Sequence, residues 1–292
     1  MKNKILPLIF GIVTVVVLAI LSVLYLRYSE QNHINTAKAF FDYQIKQLYK
    51  NIDESKSSLQ ALAIILGENA SVTECFLEKD REICKKNINK IISSIQNAPA
   101  YHNLKLHLHT NDIVSLIRSW DMDRYGDELS SFRYMIYVSR QGNSTISGIE
   151  RGVAGTYIRA LSPVKKNGQI LGTIELMSDF EAISNFFKNQ GIDLFVLLDK
   201  EINFERAARD GDEIMTNYFI ANLKSANLSV VPVIQKLNLQ QNGFFVQGSH
   251  YLSVSPIFDA SSKRIGSFVL HIDKDFSDKK ILSENMFLNP LF

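Results

Sequence analysis

The chain has 292 residues, with 32 lysines and arginines against 30 aspartates and glutamates, and its formal charge of +2 supplies no field for nucleic acid. Its apolar share of 46% includes one long hydrophobic run, and the remainder has ordinary globular composition without a low-complexity tract. That run, residues 5–26, reads ILPLIFGIVTVVVLAILSVLYL and carries no charge. About 20 apolar residues suffice to cross a bilayer as a helix. Lys2 and Lys4 precede it, so the amino end is expected in the cytoplasm and the bulk of the chain outside. A cleaved signal peptide would carry a shorter apolar core ending in small residues, whereas this run ends in Leu24, Tyr25, Leu26, Arg27 and Tyr28. The remaining ~265 residues are enough for one large domain or two of ~100–130.

A helical pattern follows the anchor. Ile34, Phe41, Ile45, Leu48, Ile52, Ser55, Leu59, Leu62 and Leu66 recur at 3.5-residue spacing, broken only by Ser55. A helix from Ser29 to Leu66 would reach ~55 Å. That length suits a stalk that pairs with a second copy and also forms a wall of its own domain. Cys75 and Cys84 come next. In an oxidising compartment a local disulfide is the default, with free thiols as the other reading; no C-x-x-C spacing or adjacent histidine supports metal or redox chemistry. Asp80 can cap a second helix whose apolar face is Ile83, Ile88, Ile91, Ile92 and Ile95, ending at Asn97-Ala98-Pro99.

The period then changes. LKLHLH, Leu104 to His109, places leucines on one strand face and Lys105, His107 and His109 on the other. Phe132–Ser139 and Thr156–Pro163 read as strands, and Asn167-Gly168 turns into the strand Gln169–Met177. Asp179–Phe187 reads as a closing helix. The pattern restarts with a strand at Asp193–Asp199, a helix at Asp212–Asn222, and strand segments at Phe244–Pro256 and Arg264–Asp273. Ser162-Pro163-Val164 matches Ser255-Pro256-Ile257, and Leu171-Gly172-Thr173 matches Ile265-Gly266-Ser267, at offsets of 93 and 94 residues. In each copy a proline ends one strand and a glycine lies within the next, where a neighbour approaches closely. The simplest architecture is two copies of one α+β module strung from one long helix.

Residues Leu106 to Phe180 contain LHLHTND, IRSWDMDRYGDELSSFR, SGIERGVAGTYIRALSPV and LGTIELMSDF. This string resembles the double Cache extracytoplasmic sensor domains of bacterial chemoreceptors and sensor kinases. The shared pattern is h-H-x-H-x-P-D, F-L-R, Y-G-D-x-L-S-x-x-R, G-x-E-x-G-x-x-G, R-x-x-x-P-V, G-x-x-E. Asn111, Ile117 and Met177-Ser178 depart from it. The resemblance implies an α+β fold: a membrane helix, a long stalk helix, and two tandem PAS-like Cache modules with antiparallel sheets. The expected boundaries are 1–28 for the cytoplasmic stub and anchor, 29–66 for the stalk, 67–188 for the membrane-distal module, 189–276 for the membrane-proximal module and 277–292 for a tail. It further implies signal transduction of the chemotaxis type, placement in a bacterial inner membrane with the bulk periplasmic, and a homodimer through the long helix. No second span or signalling module follows before Phe292, so the output is expected from a separate cytoplasmic protein or a second receptor.

In such sensors Arg118, Trp120, Tyr125, Asp127, Arg133, Glu150, Arg159 and Glu175 line or brace the ligand pocket of the distal module. Their chemistry agrees. A guanidinium holds a carboxylate with two bonds, aromatic rings form flat walls, and an acid accepts from an amine or hydroxyl. A small organic acid or amino-acid-like metabolite fits that set. The competing reading is an internal ion-pair lattice, Arg118 with Asp127 and Arg133 with Glu150, in a degenerate scaffold that binds no small molecule. His107 and His109, with Asp112 near, could share a metal, but no third fixed ligand is evident, and no metal or cofactor is expected. Gly148, Gly152 and Gly155 read as turns that let the backbone pass near the pocket. An enzyme is not expected, since no nucleophile and base occur at a recognisable spacing.

Overall fold

The computed structural model describes residues 5–78, 80–200 and 215–274. The helix α1 runs unbroken over Ile5–Gly67. Among the described residues it is the one helix long and apolar enough to cross a membrane, and its side chains from Ile9 to Tyr28 are exposed. From Ala37 onward its stripe turns inward: Ala37, Phe41, Leu48, Ile52, Leu59, Ala63 and Leu66 are buried in one continuous core. The heptad face therefore packs on this chain's own sheets.

The helices α2 (Ala70–Leu77) and α3 (Arg81–Gln96) follow, joined by a disulfide between Cys75 and Cys84. Asp80 caps α3, accepting from the backbone N–H groups of Glu82 and Ile83. The first sheet contains β1 (Lys105–Thr110), β2 (Ser115–Arg118), β3 (Ile146–Gly152), β4 (Gly155–Lys166) and β5 (Gln169–Ser178), in the order β2-β1-β5-β4-β3. The helix α4 (Tyr134–Gly142) lies between β2 and β3 in sequence, and α5 (Glu181–Lys188) leads out. The second sheet contains β6 (Asp193–Asp199), β7 (Tyr218–Ile220), β8 (Gly243–Gln247), β9 (His250–Phe258) and β10 (Arg264–Asp273), with the short helix α6 (Val231–Ile234) among them. Its order is β7-β6-β10-β9-β8. Every pairing in both sheets is antiparallel. The fold is thus the expected α+β pair of antiparallel modules on one long helix.

The repeat extends to register. Pro163 lies opposite Thr173 and Val164 opposite Gly172; Pro256 lies opposite Ser267 and Ile257 opposite Gly266. The prolines do not end their strands, which continue to Lys166 and Phe258. The outer strands β3 and β8 stop pairing at Leu161 and Val254, so an N–H two residues further on would have no outer acceptor and its loss is harmless. The glycines are the close approaches expected. A Cβ on Gly172 would collide with the His109 carbonyl, and one on Gly266 with that of Leu197.

Other expectations fail. Residues 132–139 form no strand; α4 occupies most of them, with Met135, Ile136 and Ser139 buried and Tyr134 and Tyr137 exposed. The β-prone composition is overridden by Glu150, whose Oε1 accepts from the Met135 N–H at 2.8 Å and so anchors the first turn. The helix expected over Asp212–Asn222 is absent from its described part, where Tyr218–Ile220 instead pairs with β6 as an edge strand; residues 212–214 lie outside the described residues. Gly148 and Gly152 lie within β3.

Candidate functional site

The first sheet has two different faces. Leu106 and Leu108 turn toward the core shared with α1, while His107 and His109 point the other way, beneath α4 and the 119–133 loop. On that second face the sheet register sets His107 opposite Glu175 and Arg159 opposite Met177. Arg133, the residue before α4, and Glu150 of β3 complete a buried group.

Its charges are interlocked. Arg133 donates from Nε to Glu150 Oε2 at 2.8 Å and from its terminal nitrogen to Glu175 Oε1. Arg159 donates to Glu175 Oε1, to the Glu150 carbonyl and to the Gly155 carbonyl, each at 2.8 Å. Gly152 is small because the Arg159 guanidinium lies over it. Burial alone would raise the Glu175 pKa, but Arg133 and Arg159 hold it well below the ordinary carboxylate value. Burial pushes His107 down to about 4 and His109 well below its usual value, so both imidazoles are neutral. They contact each other at 2.9 Å and reach Ser115 and Thr173 with their outer nitrogens. Glu175 Oε2 is buried without a hydrogen-bond partner, 3.5 Å from His107 Nδ1 and 3.6 Å from His109 Nε2.

The remaining expected residues lie further out. Arg118, at the end of β2, forks onto Asp127 at 2.8 and 3.2 Å and donates to the Arg124 carbonyl, which ties the loop to the strand. That bond lowers the Asp127 pKa. Trp120 is half-buried against Ala154, Tyr157 and Met177, with its ring 5.5 Å from that of His107. Tyr125 is 57% exposed and carries the Arg81 guanidinium on its ring at 3.6 Å, which sets it apart from the cluster. Lys105, Tyr157, His107 and His109 belong to the constellation although the charged pattern did not single them out. Lys105 lies over the Tyr157 ring at 4.7 Å and donates to its hydroxyl at 2.6 Å. The signal for three of them was the alternation of LKLHLH.

A metal fits this cluster poorly. Asp112 is exposed in a turn, and Glu175 takes the place of third ligand beside His107 and His109. Glu175 is already shared by two guanidiniums, so an added cation would meet two fixed positive charges without a new anion to balance it.

The double sensory domain of two-component sensor kinases, dCache_3, matches residues 37–277, and the chain belongs to this family. A solved sensor domain agrees on the fold. The sensor domain of the Vibrio cholerae histidine kinase DctB is 15% identical, with 81% of this chain and 97% of that one covered and a TM-score of 0.51. The ligand-binding domain of the Campylobacter jejuni chemoreceptor Tlp3, solved with 4-methylisoleucine, is 14% identical over 85% and 94% of the two chains, with a TM-score of 0.47. That of the Pseudomonas fluorescens chemoreceptor CtaA, solved with L-serine, is 13% identical over 82% and 99%, with a TM-score of 0.42. No curated protein matches the chain significantly.

Proposed function

We propose that the chain is a membrane-anchored periplasmic sensor of the chemoreceptor type whose distal module, residues 67–188, binds a small organic acid or amino-acid-like metabolite. One observation carries this reading: two modules of equal strand order and register carry opposite chemistry on the same face. The positions of His107, His109, Arg159 and Glu175 correspond in register to Phe195, Leu197, Leu252 and Val269, all buried in an apolar cluster of the proximal module. The fold closes over hydrophobic residues there. Burying arginine and glutamate is costly, and among the described residues they are buried on this face in the first copy alone, which points to a task other than folding.

In this reading the proximal module, residues 189–276, is a packed spacer and binds no small molecule on that face. The unmatched Glu175 Oε2 accepts from an amine or hydroxyl of the ligand. Lys105 and Arg118 attract its carboxylate, and Trp120 and Tyr157 form its walls. Residues 1–28 anchor the chain in the inner membrane. Homodimer contacts fall on α1 before Ala37, where the helix leaves the sheets. A ligand biases signalling only by binding two states unequally, and the two states here differ in how the distal module lies on α1.

A second reading has its own support: each of the four inner charges has an ion-pair partner within the group, as in a scaffold that senses nothing. The discriminating experiment is a thermal-shift screen of the full chain in detergent with amino acids, short organic acids, purines and amines, confirmed by calorimetry. A stabilising ligand whose effect disappears in Arg118→Ala and Trp120→Ala, both folded by circular dichroism, supports the sensor. Unchanged affinity in both variants removes those residues from the site, and no hit in any class favours the scaffold.

A further inference from the structure

A second cluster lies at the opposite module, where β6 begins, β9 begins and β10 ends. His250 opens β9 directly opposite Asp273, the last residue of β10, and His271 is two residues earlier on the same strand. His250 Nδ1 is 3.0 Å from His271 Nε2 and 2.9 Å from Asp273 Oδ1; His271 Nε2 is 3.6 Å from Asp273 Oδ1. The point equidistant from three atoms so spaced lies about 1.9 Å from each, and an ion displaced slightly from their plane sits at the ~2.0–2.1 Å of zinc–imidazole and zinc–carboxylate bonds.

The surroundings match a metal centre in a further respect. His271 is buried, and its other nitrogen, Nδ1, donates to Asp193 Oδ2 at 2.8 Å. Asp193 is itself fixed by the Asn227 amide at 3.0 Å. A carboxylate on the far nitrogen of a ligating histidine selects the tautomer whose near nitrogen is free to bind. Asp193 and Asp273 also bring two negative charges, and no arginine shares either carboxylate among the described ion pairs. Half-buried His250 and exposed Asp273 leave the site open to solvent, so an ion has a path in and a fourth position for water.

We propose that His250 Nδ1, His271 Nε2 and Asp273 Oδ1 bind one divalent transition-metal cation of the zinc class, with Asp193 as the positioning residue. Imidazole with carboxylate suits zinc, nickel and cobalt and disfavours magnesium and calcium. The ion pins the start of β9 to the end of β10, and the Asp193–His271 bond ties β6, the strand on which the chain arrives from the distal module, to the same point. It is independent of the distal lattice and of any ligand there.

The test uses the full chain in detergent micelles, stripped by a chelator and titrated with Zn2+, then with Co2+ as a spectroscopic probe. One equivalent of Zn2+ is expected per chain, together with visible Co2+ bands of low-coordinate geometry. His250→Gln and Asp273→Asn should each lower the affinity on the order of 100-fold or more, and Asp193→Asn by about 10–100-fold with a shifted Co2+ spectrum. Asp273 is exposed, so its variant tests the site without disturbing the core. His107→Gln should leave binding unchanged. Absence of stoichiometric binding, binding that survives both His250→Gln and Asp273→Asn, or binding lost with His107→Gln would each overturn the assignment.

Discussion

Glu175 is the acceptor shared by Arg133 and Arg159, and its neutralisation is the most demanding test of the buried lattice. Glu175→Gln keeps the shape but leaves two buried guanidiniums with one carboxylate, Glu150, between them. Breaking a buried ion pair from one side costs about 3–5 kcal/mol. For a domain of this size each kcal/mol moves the melting midpoint by about 2–4 °C, so the variant should melt about 6–20 °C lower. The proximal module supplies the control. Replacing Arg159 by Leu together with Glu175 by Val installs the residues found at the corresponding positions, Leu252 and Val269. Apolar replacement of a whole buried pair is often neutral, so the double variant should regain at least half of the loss while abolishing ligand response. Thermal melts of the three proteins, followed by circular dichroism, decide it. A double variant no more stable than Glu175→Gln would mean that the distal module needs its charges to fold, and the argument from the unlike faces would fall.

Three other outcomes follow from the geometry. Because burial lowers the His107 pKa to about 4, the unfolded chain takes up a proton near pH 6.5 that the folded chain refuses. Stability should therefore fall as pH drops from about 6.5 to about 4, by up to ~1.4 kcal/mol per pH unit for each such histidine, with His109 acting in the same direction; melts between pH 7.5 and 4.5 should flatten in His107→Gln. Reduction of the Cys75–Cys84 disulfide opens a nine-residue separation between α2 and α3 and should cost about 2–3 kcal/mol, read as a lower midpoint in reductant and reproduced by Cys75→Ala/Cys84→Ala. Gly266→Ala places a methyl against the Leu197 carbonyl and backbone of β6, and should destabilise by roughly 3 kcal/mol or more, read as a lower melting midpoint.

Legibility followed the range of the interactions. The stalk stripe, the Asp80 cap and LKLHLH are local patterns, and each reads directly into its element. The two Ser-Pro and Gly pairs revealed the repeat because register fixes proline and glycine wherever they recur. What escaped depends on distant partners. Residues 132–139 looked like a strand until Glu150, far along the chain, captured the Met135 N–H. The strands β2, β3 and β7 are short or glycine-bearing and have no clean alternation. The charged residues of the distal face were visible as types, but sequence alone could not show that Arg133 and Arg159 share Glu175, or that Tyr125 stays outside. Nor could it show that His250, His271 and Asp273 meet, since only the β9–β10 register brings the first to the other two.

The long helix touches the repeat at matching points. Tyr49 binds Ser255 Oγ at 2.6 Å and the Pro256 carbonyl at 2.8 Å, while Gly67 lies against Ser162 and the Pro163 carbonyl. These are the same Ser-Pro pair in each module, met by one helix at positions 18 residues apart, or about 27 Å along its axis. Gly67 is the last residue of α1, so the distal module closes on the helix end. Tyr49 lies mid-helix, between that end and the apolar segment that begins the helix. In the reading proposed above, a change in the strand bearing Arg159 and Pro163 reaches α1 at its carboxyl end, where Leu59, Ala63 and Leu66 are buried in the shared core. On that reading one module keeps a buried arginine–glutamate lattice because it has to respond, and the other closes over Phe195, Leu197, Leu252 and Val269 because it has to hold.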